Sequence, residues 1–244
     1  MAPEWIRPEW PAPVSVRSLS TTRLGGVSRD AYASFNLGQH VCDSPESVTA
    51  NRAKLQMNLG RVEPRWLSQV HGTRVAVLDG TPVTQPADAA VAVGRGEACV
   101  VMTADCLPVI LCDQEGTTVA AAHAGWRGLS AGVLEATVQS MPIAPDKLMA
   151  WFGPAIGPQA YEVGDEVRNA FVQHTTRAAE AFSVGVAQGK WWCDLYLLAR
   201  LRLEALGVES IHGGDFCTYK ERERFFSHRR DGQCGRMATL IWIE

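Results

Sequence analysis

The sequence predicts an α+β fold, a single domain over residues 1–244 with large mixed β-sheets flanked by helices. Three observations carry this expectation. Strand-like segments come in runs with helices between them, not in strict alternation. No repeat, low-complexity tract or domain-separating linker interrupts the chain. Apolar residues make up 46% and charged residues 20% of 244 residues, an ordinary balance for a globular core.

The elements follow in order. Residues 14–21 read as extended, and residues 23–28, Arg-Leu-Gly-Gly-Val-Ser, as a loop. Ser44 is an N-cap with Pro45 at the first helical position; Val48, Leu55 and Leu59 share one face, and Gly60 ends the helix. Residues 66–70 and 73–78 are strand-like around His71-Gly72, and residues 98–104 form a buried-looking strand. Residues 106–112 and 117–123 are short apolar runs around the polar turn Asp113-Gln114-Glu115-Gly116, a hairpin signal. A four-residue loop there sets Cys112 opposite Thr117 and Cys106 opposite His123. After Ala124-Gly125 a helix is expected over residues 126–140, then a strand over 148–152 and a stiff Gly-Pro loop over 153–158. Helices over 165–174 and 193–206 precede closing strands at 208–212 and 237–243.

Composition narrows the function. A net charge of -3 leaves no electrostatic footprint for nucleic acid. The stretch 1–13 lacks the apolar centre of a signal peptide, and no run approaches the ~18–20 apolar residues of a membrane span. A cytoplasmic protein with a small-molecule substrate is expected, and its seven cysteines should be thiols or metal ligands. Oligomeric state is not legible.

Opposed residues on a hairpin have Cβ atoms roughly 4.5–5.5 Å apart. Cys106 and His123 therefore suit two ligands of one metal or a thiol and its base. The plainer reading is a buried Cys and a satisfied His at strand ends. His71 also sits at the end of an apolar run. One Cys and two His fit a three-ligand zinc site with a position left for water, and copper accepts the same donors. Without metal, Cys106 would be a nucleophile with His123 or His71 as base. Arg127 stands in the first turn of the following helix, where free N–H groups favour an anion; its alternative is an ion pair with Glu135 or another surface acid. Asp105, facing away on a strand, reads as a supporting acid. His40, His174 and His212 have weaker claims.

Several motifs resemble the YfiH-type laccase-domain family over nearly the whole chain. They are Thr21-Thr22-Arg23-Leu24-Gly25-Gly26-Val27-Ser28, Phe35-Asn36-Leu37-Gly38, Gln69-Val70-His71-Gly72, Thr103-Ala104-Asp105-Cys106-Leu107-Pro108, Ala121-Ala122-His123-Ala124-Gly125-Trp126-Arg127-Gly128, Gly153-Pro154-Ala155-Ile156-Gly157-Pro158 and Phe226-Ser227-His228-Arg229-Arg230-Asp231. The resemblance implies a single-domain CNF/YfiH-like α+β fold and a zinc site at His71, Cys106 and His123, the same residues serving catalysis. It places Arg127, Arg23, Asn36, Gln69, Asp105 and Arg229 as substrate- or anion-binding residues. Some relatives carry Tyr where this chain has His228, so that side chain receives no role. The implied activity is a zinc-dependent purine nucleoside enzyme: phosphorolysis of adenosine, inosine and methylthioadenosine, with adenosine deamination. Three alternatives stand beside it. One is an amidase that edits a peptidoglycan precursor by removing a wrong amino acid from a UDP-muramyl compound. Another is a copper-dependent polyphenol oxidase, or laccase. The last is a non-enzymatic module with structural zinc, whose fourth ligand would come from Cys42, Cys193, Cys217 or Cys234. Cys112 would lie roughly 20 Å along the strand from Cys106.

Overall fold

A computed structural model describes residues 5–244; residues 1–4, the start of the stretch read as lacking a signal peptide, lie outside the described residues. The elements run β1 (Val16–Ser20), α1 (Pro45–Leu59), β2 (Glu63–Arg65), β3 (Val75–Leu78), β4 (Ala89–Val93), β5 (Glu97–Thr103), β6 (Leu107–Asp113), β7 (Thr118–Ala124), α2 (Trp126–Ala131), α3 (Val133–Ser140), β8 (Leu148–Phe152), β9 (Glu162–Gly164), α4 (Asp165–Val172), β10 (Phe182–Val184), β11 (Lys190–Cys193), α5 (Leu195–Ala205), β12 (Ser210–Gly213), α6 (His228–Asp231) and β13 (Met237–Ile243).

The expected α+β architecture with large mixed sheets is present. A six-stranded sheet has the order β12-β8-β6-β7-β4-β3, a four-stranded sheet β1-β13-β5-β2, and a small sheet β10-β11-β9. Parallel pairs (β3 with β4, β8 with β12, β2 with β5) sit among antiparallel ones. The two large sheets pack face to face: Cys99, Val101 and Ile241 of one meet Ile110, Val119 and Ala121 of the other in one buried cluster. The outer face of the six-stranded sheet is covered by α2 to α5, with Leu129, Leu134, Phe171 and Leu198 buried there. The outer face of the four-stranded sheet is covered by α1 through Leu55 and Leu59. Burying sheets on both faces explains why β5 to β8 are continuous apolar runs. Among the described residues no helix is long and apolar enough to cross a membrane.

The first helix follows its sequence signals. Ser44 Oγ accepts the Ser47 N–H at 3.3 Å, Pro45 opens the helix and Gly60 ends it at φ 63°. Val48, Leu55 and Leu59 are buried as expected.

Elsewhere the tertiary structure departs from the local reading. The β6–β7 hairpin is slipped by two residues, so Pro108 faces His123 and Leu107 faces Ala124. Asp113 stays in the strand, paired with Leu148 of β8, and caps the turn. Its carboxylate accepts the N–H groups of Thr117 and Thr118 at 2.8 and 2.7 Å and the Thr117 hydroxyl at 2.9 Å. The loop therefore starts one residue later, and Cys106 lies just beyond the ladder. An even slip keeps each side chain on its face.

The helix expected over 126–140 is two short ones. Gly132 interrupts it in the left-handed region at φ 104° and ends α2 as α3 begins. Residues 66–70 carry no strand, and the alanine-rich β4 is an additional one, completed by pairing with β7 and β3. The helix expected over 165–174 ends at Val172, and the one expected from 193 starts at Leu195, because strand β11 takes residues up to Cys193.

Candidate metal centre

His71, Cys106 and His123 come together. One side-chain donor atom from each lies within 4.8 Å of the others, and the two imidazole rings meet edge to face with centroids 4.7 Å apart. The three arrive by different routes. His123 is the penultimate residue of β7 and is buried. Cys106 directly precedes β6, after Asp105 at φ 92°. His71 is exposed, at φ 60°, in the loop before β3.

One buried carboxylate, absent from the sequence reading, organises two of the three. Asp88, just before β4, accepts the backbone N–H groups of Val70, His71 and Gly72 at 3.1, 2.9 and 2.7 Å. Its Oδ1 also lies 2.8 Å from His123 Nδ1, and its carbonyl accepts the His123 N–H at 2.7 Å. The same acid shapes the strained His71 loop and fixes the His123 ring. With Nδ1 engaged, Nε2 of His123 is the nitrogen left for a metal.

Charge within the cluster is coupled. Burial alone would lower the pKa of His123, but the Cys106 sulfur and then Asp88 outweigh it and hold His123 up at about 9. Burial, then the neighbouring His123, pushes His71 down. Burial would raise Asp88, yet the His123 ring and the Gly72 and Val70 amides keep it below the usual carboxylate range.

Gly125 leaves the room the cluster needs. A Cβ there would lie 2.7 Å from His71 Nδ1 and 3.0 Å from Cys106 Sγ. Two nitrogens and a sulfur, ordered by a carboxylate and spared by a glycine, fit a zinc- or copper-class ion. Among the described residues no fourth Cys, His, Asp or Glu joins the three. Cys217 sits instead at the Gly157 N–H, 3.3 Å away, while Cys193 and Cys234 are buried in apolar clusters.

Two cavities meet at Cys106. One of about 280 Å3 contains the cluster and is lined also by His40, Gln69, Met102, Thr103, His228 and Arg236. The other, of about 160 Å3, is lined by Asp105, Trp126, Ile156, Tyr161, Leu195 and Arg229. Ala104, Cys106 and His228 border both.

The remaining expected site residues divide. Arg229 lines the smaller cavity, over the Tyr161 ring and donating to the Glu162 carbonyl at 2.7 Å. Asp105 borders it too, lying in the turn before β6 and not on a strand, and its carboxylate accepts the Thr218 hydroxyl and the Arg229 N–H, both at 2.6 Å. Gln69 borders the larger cavity with its amide doubly bonded to the Met102 backbone, at 2.8 and 2.7 Å. Arg127 is exposed, stacks over Trp126 and borders neither cavity, and the six-residue α2 offers little dipole for an anion. Glu135 pairs with Arg202, and among the described residues no acid lies within ion-pair distance of Arg127. Arg23 and Asn36 are structural here. Arg23 donates to the carbonyls of Ala33 and Arg222. Asn36 is fully buried and holds the amides of Gly38 and Arg236. His40 reaches the cavity, whereas His174 and His212 do not.

The whole described chain has close relatives. Residues 17–244 match the family model for the multi-copper polyphenol oxidoreductase laccase. A purine nucleoside phosphorylase of Pseudomonas aeruginosa is 52% identical over 240 residues, covering 98% of each chain. The purine nucleoside phosphorylase YfiH of Escherichia coli is 52% identical over 242 residues, again 98% of each. The crystal structure of protein NMB0706 of Neisseria meningitidis shares 51% identity and superposes with a TM-score of 0.93, covering 98% of this chain and 99% of that one.

Proposed function

The chain belongs to the multi-copper polyphenol oxidoreductase laccase family, and from that premise we propose that it is a zinc-dependent purine nucleoside phosphorylase acting on adenosine, inosine and methylthioadenosine. The observation that carries this reading is the convergence of His71, Cys106 and His123 on one wall of an open cavity. Relatives 52% identical to it over 98% of their length are named purine nucleoside phosphorylase, which supports the reaction class. In the reaction, an oxygen of inorganic phosphate bonds to C1′ of the sugar as the bond to the purine nitrogen breaks. The purine leaves with the bonding pair and takes up a proton, giving free base and sugar 1-phosphate.

His71, Cys106 and His123 would hold the zinc ion. Zinc bound by three protein ligands supplies a Lewis acid with a vacant position, able to polarise an oxygen ligand or lower the pKa of water. Asp88 keeps the His123 Nδ1 proton in place, so the ring presents one defined face. The ring of the base is assigned to the smaller cavity, where Trp126, Tyr161 and Ile156 supply aromatic and apolar wall. The sugar then lies beside Cys106, which borders both cavities.

Three donors on one site suit a single ion; a multinuclear copper centre needs many more histidines than converge here. Adenosine deamination at the same site would use zinc-activated water and is a further activity of this reading. The close approach of the Cys106 sulfur to the His123 imidazole supports a second reading, a thiol-based amidase on a muramyl precursor.

The test is incubation of zinc-replete protein with adenosine or inosine and phosphate. Adenine or hypoxanthine with ribose 1-phosphate is the expected product pair, inosine from adenosine marks deamination, and Cys106→Ala is the control. No turnover above that control, or release of serine or alanine from a UDP-muramyl peptide instead, would remove the first reading. Metal analysis should give one zinc per chain; several coppers would favour the oxidase.

A further inference from the structure

The cavity containing the three-donor cluster carries no acid. Its lining is His40, Gln69, His71, Met102, Thr103, Ala104, Cys106, His123, His228 and Arg236, with Arg236 the sole guanidinium among them. Asp88, the nearest carboxylate behind the cluster, spends both oxygens on four N–H donors. Both oxygens thus point at the loop amides and the His123 ring, and Asp88 itself does not line the cavity.

Arg236 is held firmly but incompletely used. Its backbone N–H donates to Asn36 Oδ1 at 2.9 Å, and its carbonyl accepts the Leu37 N–H at 3.2 Å. Its stem packs on Gly38, where a Cβ would come within 2.9 Å of Arg236 Cγ. Nη1 donates to the carbonyls of Cys234 and Gly235 at 2.9 and 3.1 Å. Among the described residues, Nε and Nη2 have no protein acceptor, and no carboxylate lies within ion-pair distance. The half-buried guanidinium therefore has one edge anchored and the rest free. A planar fork of this kind matches two oxygens of a phosphate. Three further arginines near the site do not line this cavity: Arg127 stacks outward over Trp126, Arg229 donates Nη1 to the Glu162 carbonyl beside the smaller cavity, and Arg52 bonds the Leu37 carbonyl and packs on Trp66.

We propose that Arg236, with His40 beside it, is the phosphate-binding wall of this cavity, holding a phosphate dianion against the cluster of His71, Cys106 and His123. This rests on the phosphorylase reading and adds to it the group that seats the second substrate. It also explains the Phe35-Asn36-Leu37-Gly38 motif as a scaffold for Arg236: Asn36 binds its amide, Leu37 its carbonyl, and Gly38 leaves room for its stem.

The shared chemistry could be met by inorganic phosphate or by a nucleotide, and the assignment is to inorganic phosphate. The test uses full-length, zinc-replete and zinc-free protein, titrated with inorganic phosphate and separately with adenosine 5′-monophosphate by calorimetry. Thermal melting and zinc content are measured for every variant. Arg236→Gln should weaken phosphate binding at least tenfold in both metal states, and Arg236→Lys, which keeps charge but loses the fork, about threefold. Arg127→Gln should stay within twofold. In turnover, Arg236→Gln should raise KM for phosphate at least tenfold and leave KM for inosine within threefold. If Arg236→Gln fails to fold, Arg236→Lys carries the same measurement. Unchanged phosphate binding in a folded variant, loss in Arg127→Gln instead, or binding of the nucleotide alone would overturn the assignment. Arg236-dependent phosphate binding without nucleoside turnover sinks only the phosphorylase reading. Phosphorolysis with a normal phosphate KM in Arg236→Gln sinks only this one.

Discussion

Asp88 Oδ1 stands 2.8 Å from Nδ1 of His123, both side chains are buried, and the other contacts of that carboxylate are the amides of residues 70, 71 and 72. One acid thus couples the orientation of a candidate metal ligand in β7 to the loop carrying another.

Asp88→Asn is expected to weaken zinc binding 10–100-fold, the usual effect of losing a carboxylate behind a metal-binding imidazole. The amide's NH2 would also face a backbone N–H, leaving a buried donor unpaired at a cost of about 1–3 kcal/mol. Competition with a chromogenic chelator reads the first effect and urea unfolding of zinc-free protein the second. Wild-type zinc affinity in this variant would show that Asp88 does not position His123 for metal.

Gly125→Ala should separate folding from function. Gly125 has φ -64°, which alanine adopts freely, so the melting temperature of metal-free protein should move little. The new methyl would meet His71 Nδ1 and Cys106 Sγ, at 2.7 and 3.0 Å before relaxation, and force the donors apart. Zinc affinity should fall at least tenfold, as measured by the same chelator competition.

Metal binding should be tied to pH through His123. In metal-free protein its pKa is held up at about 9: burial opposes this, and Cys106 and Asp88 prevail. That value lies above the ~6.5 of an unfolded imidazole. The resulting stability is therefore fully present below about pH 6.5 and is lost as pH rises through about 9. The urea midpoint of metal-free protein should fall across this window. Zinc must displace the His123 proton, so affinity should rise with pH over the same range, by up to about tenfold per unit. Calorimetry in buffers of different ionisation enthalpy should detect a released proton at pH 7.5, and its absence would contradict the coupling.

Asp113→Ala tests the turn that sets the hairpin register. The buried carboxylate satisfies two amides and a hydroxyl, so its removal should cost about 2–4 kcal/mol by urea unfolding. Zinc affinity of the folded variant should stay within threefold, because Leu107–Cys112 keep their pairing with β7 through the rest of the ladder.

Much of this was legible because it is locally encoded. Ser44, Pro45 and Gly60 bracket α1, and the Met237–Ile243 strand stands where its apolar run places it. Cys106 and His123 are written at the ends of adjacent apolar runs, and the resemblance adds His71. Gly132 was not read as a break, because the apolar face of α2 continues into α3. The left-handed turn is visible only in the backbone. The two-residue slip of β6 against β7 was illegible for a related reason. Asp113 reads as a turn residue, yet pairing with β8 keeps it in the sheet.

By itself the sequence determined the fold class, the bounds of elements with caps or long apolar runs, and the residue types able to bind a metal, because caps, periodicity and donor chemistry act over a few neighbouring positions. Only the tertiary structure decided that Asp88, 35 positions before His123, underlies the cluster, and that Arg236 faces its cavity while Arg127 turns outward. Those choices depend on which buried donors and acceptors meet across sheets and loops, and hydrogen-bond satisfaction between distant segments has no period a single chain can display.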